Sequence, residues 1–134
     1  MAQENGYTLR IITPQRVFYE GQVDMVEFHT TEGEIGVLPG HIPLTVIIQP
    51  GILRIYEGDD RKEAALHAGF AEILQDRLTI LAEIIEWPQE IDRERAEAAK
   101  ERAQERLRSH TEETDLARAQ TALARAVARV HVLK

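Results

Sequence analysis

Between residues 7 and 82 apolar side chains alternate with polar ones in short runs, and those runs are rich in β-branched residues. A period of two is the pattern of half-buried strands. It predicts strands at Thr8 to Thr13, Val23 to Thr30, Leu44 to Ile48, Ile52 to Tyr56, Ala64 to His67, Phe70 to Leu74 and Leu78 to Leu81. Turn-forming residues punctuate them at Thr13-Pro14, Glu32-Gly33, Pro39-Gly40, Pro50-Gly51, Gly58-Asp59-Asp60 and Gln75-Asp76. Many short strands at this spacing predict an antiparallel β-sandwich or barrel.

At Trp87-Pro88 the pattern changes. Ala, Glu and Arg dominate from there on, and after Pro88 neither Gly nor Pro occurs again, which is the composition of long exposed helices. The pattern predicts one helix from about Ile91 to Arg108 and a second from about Asp115 to Leu133. Between them Ser109, His110, Thr111 and Thr114 are candidate N-cap residues, and Glu112, Glu113 and Asp115 suit the positive end of the second helix dipole. The fold class expected is therefore α+β, with an N-terminal antiparallel β-sandwich (residues 1–87) followed by a two-helix antiparallel hairpin (residues 88–134). The hairpin seam reads as Ala96, Ala99, Ala103 and Leu107 against Leu116, Ala119, Leu123, Ala126, Val130 and Leu133. Alanine buries far less than the ~1.5–3 kcal/mol side chain of Leu or Val, so this hairpin is expected to be marginal and able to open.

Charge divides the chain at the same place. Residues 1–87 carry 6 basic and 14 acidic side chains, whereas residues 88–134 carry 10 basic and 9 acidic, with no acid beyond Asp115. The overall charge of −7 disfavours nucleic acid as a partner. Cysteine is absent, which excludes disulfides, thiol catalysis and cysteine-ligated zinc. Met1 to Tyr7 does not read as a secretory signal, and no apolar run approaches the roughly 20 residues of a membrane span. Membrane association is expected only through a partner.

On a helix, positions seven and eleven apart share a face. Arg95, Arg102 and Arg106 have this spacing, and Arg118, Arg125 and Arg129 repeat it. Such stripes are commonly solvated faces; they also suit anion capture, because guanidinium forks bind phosphate or carboxylate bidentately. Independent catalysis has no comparable support. His29, His41, His67, His110 and His131 show no short metal-ligand spacing, and neither a nucleophile elbow nor a Gly-rich phosphate loop occurs. No catalytic residue and no metal site is expected. A free-standing nucleotide sensor or coiled-coil adaptor fits the helices alone.

The segment Gly33-Glu34-Ile35-Gly36-Val37-Leu38-Pro39-Gly40-His41-Ile42-Pro43-Leu44 resembles the Gly-Glu-x-Gly-x-x-Pro-Gly-His-x-Pro-Leu signature of F-type ATP synthase epsilon subunits. The likeness runs over essentially the whole chain, through Thr13-Pro14, Pro50-Gly51, Ala68-Gly69-Phe70 in place of the more usual Gly-Gly-Phe, and the terminal hairpin. Ile91-Asp92-Arg93-Glu94-Arg95-Ala96 is similar to the family's Ile/Leu-Asp-x-x-Arg-Ala motif for ATP. The resemblance implies a non-catalytic regulatory subunit of the central-stalk rotor, held peripherally at the cytoplasmic face of a bacterial membrane. It implies that ATP, with or without magnesium, is a regulatory ligand. Ile91, Asp92 and Glu86 would face the base and ribose beside Ala96, and Arg95, Arg102, Arg125 and Arg129 would meet the phosphates. It implies docking of the sandwich on the gamma subunit and the c ring, with Glu34 and His41 near that contact. Extended C-terminal helices would reach the catalytic beta and alpha subunits and inhibit hydrolysis when ATP is low. A rotor subunit whose hairpin is purely structural is the alternative.

Overall fold

The computed structural model describes residues 6–109 and 115–134. Among these, eight strands precede two α-helices. The strands are β1 (Tyr7–Ile12), β2 (Val17–Val23), β3 (Met25–Thr30), β4 (Gly33–Val37), β5 (Leu44–Ile48), β6 (Gly51–Glu57), β7 (Asp60–Ile73) and β8 (Arg77–Glu86). They hydrogen-bond in the order β2-β1-β8-β7-β5-β3-β4, with β6 joined to both β3 and β7. The strands form the expected sandwich, with one departure: β1 and β8 run parallel, from Thr8 beside Arg77 to Ile12 beside Leu81. A parallel pair needs a long crossover, and the chain between β1 and β8 supplies it.

Alternation along the strands decides what is buried. In β1 Tyr7, Leu9 and Ile11 point inward, in β3 Val26 and Phe28, in β6 Leu53 and Ile55, and in β8 Leu78 and Ile80. Each fully buried side chain of this size stabilises the fold by ~1.5–3 kcal/mol. Tyr7 closes one end, its hydroxyl donating to the Val37 carbonyl at 2.6 Å. Burial raises its pKa well above the usual tyrosine value, so it stays a neutral donor.

Three strand expectations need correction. The segment Val23 to Thr30 is two strands broken at Asp24, whose carboxylate accepts from Gly58 N at 2.6 Å while its own N–H donates to Tyr56 at 2.8 Å. Ala64 to His67 and Phe70 to Leu74 are parts of one strand, β7, whose register against β8 shifts on either side of Ala68. Gly69 makes that bulge possible at φ 139°, where a Cβ would lie 2.1 Å from the Leu81 carbonyl oxygen. The third concerns β2 and β4, which were not anticipated.

After β8 a 3-10 turn, Pro88–Glu90, leads into α1 (Arg93–Arg108), and α2 spans Leu116–Val132. Asp92 caps α1 by accepting from Arg95 N at 3.1 Å, and Asp115 caps α2 by accepting from Arg118 N at 3.1 Å. Ser109, anticipated as an N-cap, instead ends α1: its N–H and Oγ both donate to the Glu105 carbonyl. The cap candidates His110, Thr111 and Thr114, with Glu112 and Glu113, lie outside the described residues. Ala96 and Ala103 meet Ala119, Ala126 and Val130 in a buried seam, while Leu116 is 41% exposed. Ala128 and Val132, outside the expected seam, are buried too. The reason is that α2 packs on β6 and β7 as well as on α1.

Candidate functional site

The junction between the two parts is built from the linker. Trp87 stacks on Phe18 of β2, ring centroids 4.3 Å apart, and Arg16 lies 5.0 Å over the other aromatic ring of that pair, Phe18. Arg16 also pairs with Glu90 at 2.6 Å, and Glu90 in turn accepts from Trp87 N at 2.9 Å. These contacts fix the start of α1 against the sandwich. At the same end of the hairpin, Arg93 Nη2 donates to the Leu133 carbonyl at 3.0 Å, setting the last turn of α2 beside the first of α1.

Between the linker and the two helices lies a cleft of about 360 Å³ lined by Glu86, Glu90, Ile91, Asp92, Arg95, Ala96, Ala99, Arg102 and Arg129. The volume falls in the ~300–1,000 Å³ range of small-molecule sites. The lining of the cleft combines three guanidinium groups, Arg95, Arg102 and Arg129, with the apolar Ile91 and the carboxylates of Glu86, Glu90 and Asp92. It is thus suited to a ligand with a polyanionic end and a neutral, hydrogen-bonding end. The structure gathers here seven of the eight residues expected to hold ATP.

Arg125 is the exception. It lines a neighbouring cleft with Arg106, Arg118 and Thr121, so the double stripe divides into two groups of three. Arg125 Nε is buried with no hydrogen-bond partner among the described residues. Three of the seven are already engaged. Asp92 caps α1, and Arg129 Nε donates to Glu86 Oε1 at 2.7 Å.

The same Glu86 oxygen lies 2.9 Å from Nε2 of His67 on β7. Burial pushes the Glu86 carboxyl up, but hydrogen bonds from His67 and Arg129, with their charge, outweigh it and hold the group below the usual carboxylate range. His67 was not among the expected site residues. A lone histidine in a strand carries no sequence signal of such a contact.

Glu34 and His41 are not part of this cleft. Glu34, on β4, lies 3.5 Å from Arg54 of β6, and the His41 ring Nδ1 is 2.7 Å from its neighbour's carbonyl, Ile42 O. The loop carrying His41 is tied to the β7–β8 turn by Gly40 N donating to the Gln75 carbonyl at 3.0 Å. Leu38 and Ile42 beside it are 57% and 78% exposed. A second apolar surface is a row across three strands, Ile47 on β5 opposite Phe70 on β7 opposite Leu81 on β8. Directly opposed residues share a face, and all three are exposed.

Residues 6–88 match the beta-sandwich domain of the ATP synthase Delta/Epsilon chain, and residues 89–134 match its long alpha-helix domain. The chain is 46% identical over 130 residues to an ATP synthase epsilon chain of Caldanaerobacter subterraneus, covering 96% of this chain and 94% of that one. It is 45% identical over 125 residues to the epsilon chain of Halalkalibacterium halodurans, covering 92% and 94%. Among solved structures it is similar to a chain of the Euglena gracilis mitochondrial ATP synthase OSCP/F1/c-ring assembly, with TM-score 0.83 and 26% identity over 97% of this chain and 82% of that one. A chain of the Tetrahymena thermophila ATP synthase central stalk and c-ring shares the fold, with TM-score 0.63 and 12% identity over 96% of each.

Proposed function

This chain belongs to the ATP synthase Delta/Epsilon chain family, and on that premise we propose that it is a non-catalytic rotor subunit whose hairpin reads ATP. The observation that carries the reading is the junction cleft, which brings Glu86, Ile91, Asp92, Arg95, Ala96, Arg102 and Arg129 around one volume. In it Ile91 and Ala96 supply an apolar wall for a base, the carboxylates of Glu86 and Asp92 accept from its amino group or the ribose hydroxyls, and the guanidinium forks meet phosphate oxygens. Arg125 joins them only if the ligand's phosphates reach the neighbouring cleft or its side chain swings across. Magnesium is compatible with the phosphate end.

With ATP bound, the arginines of both helices share one polyanion and the hairpin stays folded. Without it, repulsion among like charges favours opening, and an extended α2 reaches acidic surfaces of the catalytic alpha and beta subunits to block rotation in the hydrolysis direction. A ligand shifts such an equilibrium only by its differential affinity, about 1.4 kcal/mol for each factor of ten. The alanine seam keeps the two states close enough for that shift to matter.

The sandwich supplies the attachment. The exposed row Ile47, Phe70 and Leu81 is an apolar surface suited to the gamma subunit, and Leu38, His41 and Ile42, with Glu34 on the adjoining strand, are suited to the c ring. No helix among the described residues is long and apolar enough to cross a membrane. Attachment through the c ring would place the chain peripherally at the cytoplasmic face of the bacterial membrane.

One observation favours a structural hairpin that binds no nucleotide: Glu86 already occupies Arg129. Calorimetric titration with ATP separates the two. Saturable one-to-one binding that Arg95→Ala and Arg102→Ala each weaken at least tenfold is the expected result; absence of heat at millimolar ATP overturns the nucleotide reading.

A further inference from the structure

His67 is 1% exposed and follows Ala64, Ala65 and Leu66, all buried, in β7. Its Nε2 lies 2.9 Å from Glu86 Oε1, and its Nδ1 is buried without a partner among the described residues. The ionised Glu86 oxygen accepts, so Nε2 carries the proton, and Nδ1 is left without a partner among the described residues. A buried polar group with an unmet nitrogen is unfavourable, and an apolar side chain such as Leu fills a strand position of this kind without that cost. Packing alone therefore does not account for an imidazole here. The hydrogen bond to Glu86 does.

Glu86 Oε1 is shared. It accepts from His67 of β7 and from Nε of Arg129 on α2 at 2.7 Å. Both Glu86 and Arg129 are about three-quarters buried in their side chains, at 25% and 26% exposure. The three residues thus form a chain of charge-assisted hydrogen bonds running from the sandwich interior, through the last residue of β8, to the last turn of the hairpin. Around it stand Asp92, Arg95 and Arg102 from α1 and Glu90 from the linker; Asp92 and Glu90 have partners of their own at the α1 cap and at Arg16.

We propose that His67 is a positioning residue and Glu86 the jaw of a clamp that holds the hairpin onto the sandwich when the cleft is empty. The imidazole fixes the carboxylate in the orientation that meets Arg129. The sandwich, rather than the seam between the helices, then sets how readily α2 departs. An anion entering the cleft and drawing on Arg129 has to replace this internal carboxylate. The clamp itself operates without any ligand and does not depend on the nucleotide reading.

Limited trypsin digestion of the full chain without nucleotide tests it, because cleavage of a transiently opened region tracks the population of the open form when reclosing is fast. The Glu86 and His67 variants leave every trypsin site in place. Glu86→Gln and His67→Leu are each expected to raise the rate of first cleavage within residues 93–134 by about fivefold. His67→Gln, whose side-chain amide offers a donor near the position of Nε2, should stay within about twofold of the parent. His67→Leu should add nothing in the Glu86→Gln background. Unchanged protection in His67→Leu, or an equal effect in both backgrounds, overturns the proposal by reducing His67 to a packing residue. Urea unfolding followed by far-ultraviolet circular dichroism checks that the sandwich is intact. Should His67→Leu not fold, the cycle of Glu86→Gln with Arg129→Gln decides, read by hydrogen exchange of α2 because Arg129→Gln removes a trypsin site, strict additivity being the overturning result. Calorimetry with ATP on the same proteins reports the nucleotide site separately, so either idea can fail alone.

Discussion

The sandwich and the hairpin bury their cores with different side chains. Leu9, Ile11, Phe28, Leu53, Ile55, Leu66, Ile73, Leu78 and Ile80 are all 1% exposed or less in the sandwich. The buried part of the hairpin seam is Ala96, Ala103, Ala119 and Ala126 with Val130. Hydrophobic stabilisation scales with apolar area removed from water, so the first region is held by its own interior and the second leans on what it touches. The difference matters for function. A part that must stay docked is built from large side chains, and a part that must change shape is built from small ones and fastened by polar contacts at one end.

The largest expected effect that tests this contrast is in the sandwich. Phe28→Ala should lower unfolding stability in urea by about 3–5 kcal/mol, the usual loss for a buried aromatic. Gly69→Ala comes next, at about 2–3 kcal/mol in the same measurement, because a Cβ there meets the Leu81 carbonyl at 2.1 Å in a backbone conformation of φ 139°. In the hairpin, Ala126→Leu overpacks a seam that fits only small residues and should cost about 1–3 kcal/mol of hairpin stability. Hydrogen exchange should show faster opening of α1 and α2 with the sandwich amides unchanged. Equal losses in both regions would show that they unfold as one unit and dissolve the contrast.

The smallest effect is one of pH. The folded state holds the Glu86 carboxyl below its ordinary value of 4.5. A depressed carboxylate contributes stability in full above the unfolded value and loses it as pH falls through the folded one. Protection of α2 in hydrogen exchange, corrected for intrinsic rates, should therefore hold from pH 7 down to about pH 5 and weaken only below the ordinary carboxylate range. In Glu86→Gln that acid weakening should shrink.

Several of these features were legible in the chain. Alternation in β1, β3, β5, β6 and β8 announced strands, and the helices were visible from composition and from Asp92 and Asp115 as caps. β2 and β4 were not legible. In β2 only Phe18 and Val23 are buried, and Glu20, Gly21 and Gln22 interrupt the pattern; β4 carries two glycines and one buried residue, Val37. Both stand at the ends of the sheet order, where pairing with a stronger neighbour makes a strand that propensity alone does not. Gly69 looked like a break between two strands because glycine is the commonest local punctuation. Pairing on both sides turned it into a bulge inside one.

The site divides in the same way. Spacing along each helix placed Arg95, Arg102, Arg125 and Arg129 on common stripes, since a helix fixes which of its own residues share a face. Which arginines of different helices share a cleft depends on how the helices pack on each other and on β6 and β7, and that separated Arg125 from Arg129. His67 illustrates the limit most clearly. Local sequence determines backbone periodicity, caps, turn positions and the faces of each helix, because those follow from neighbours a few residues away. The meeting of His67, Glu86 and Arg129 joins residues that lie 19 and 43 positions apart in the chain, and only strand pairing together with the packing of sandwich against hairpin brings those polar atoms within hydrogen-bond reach.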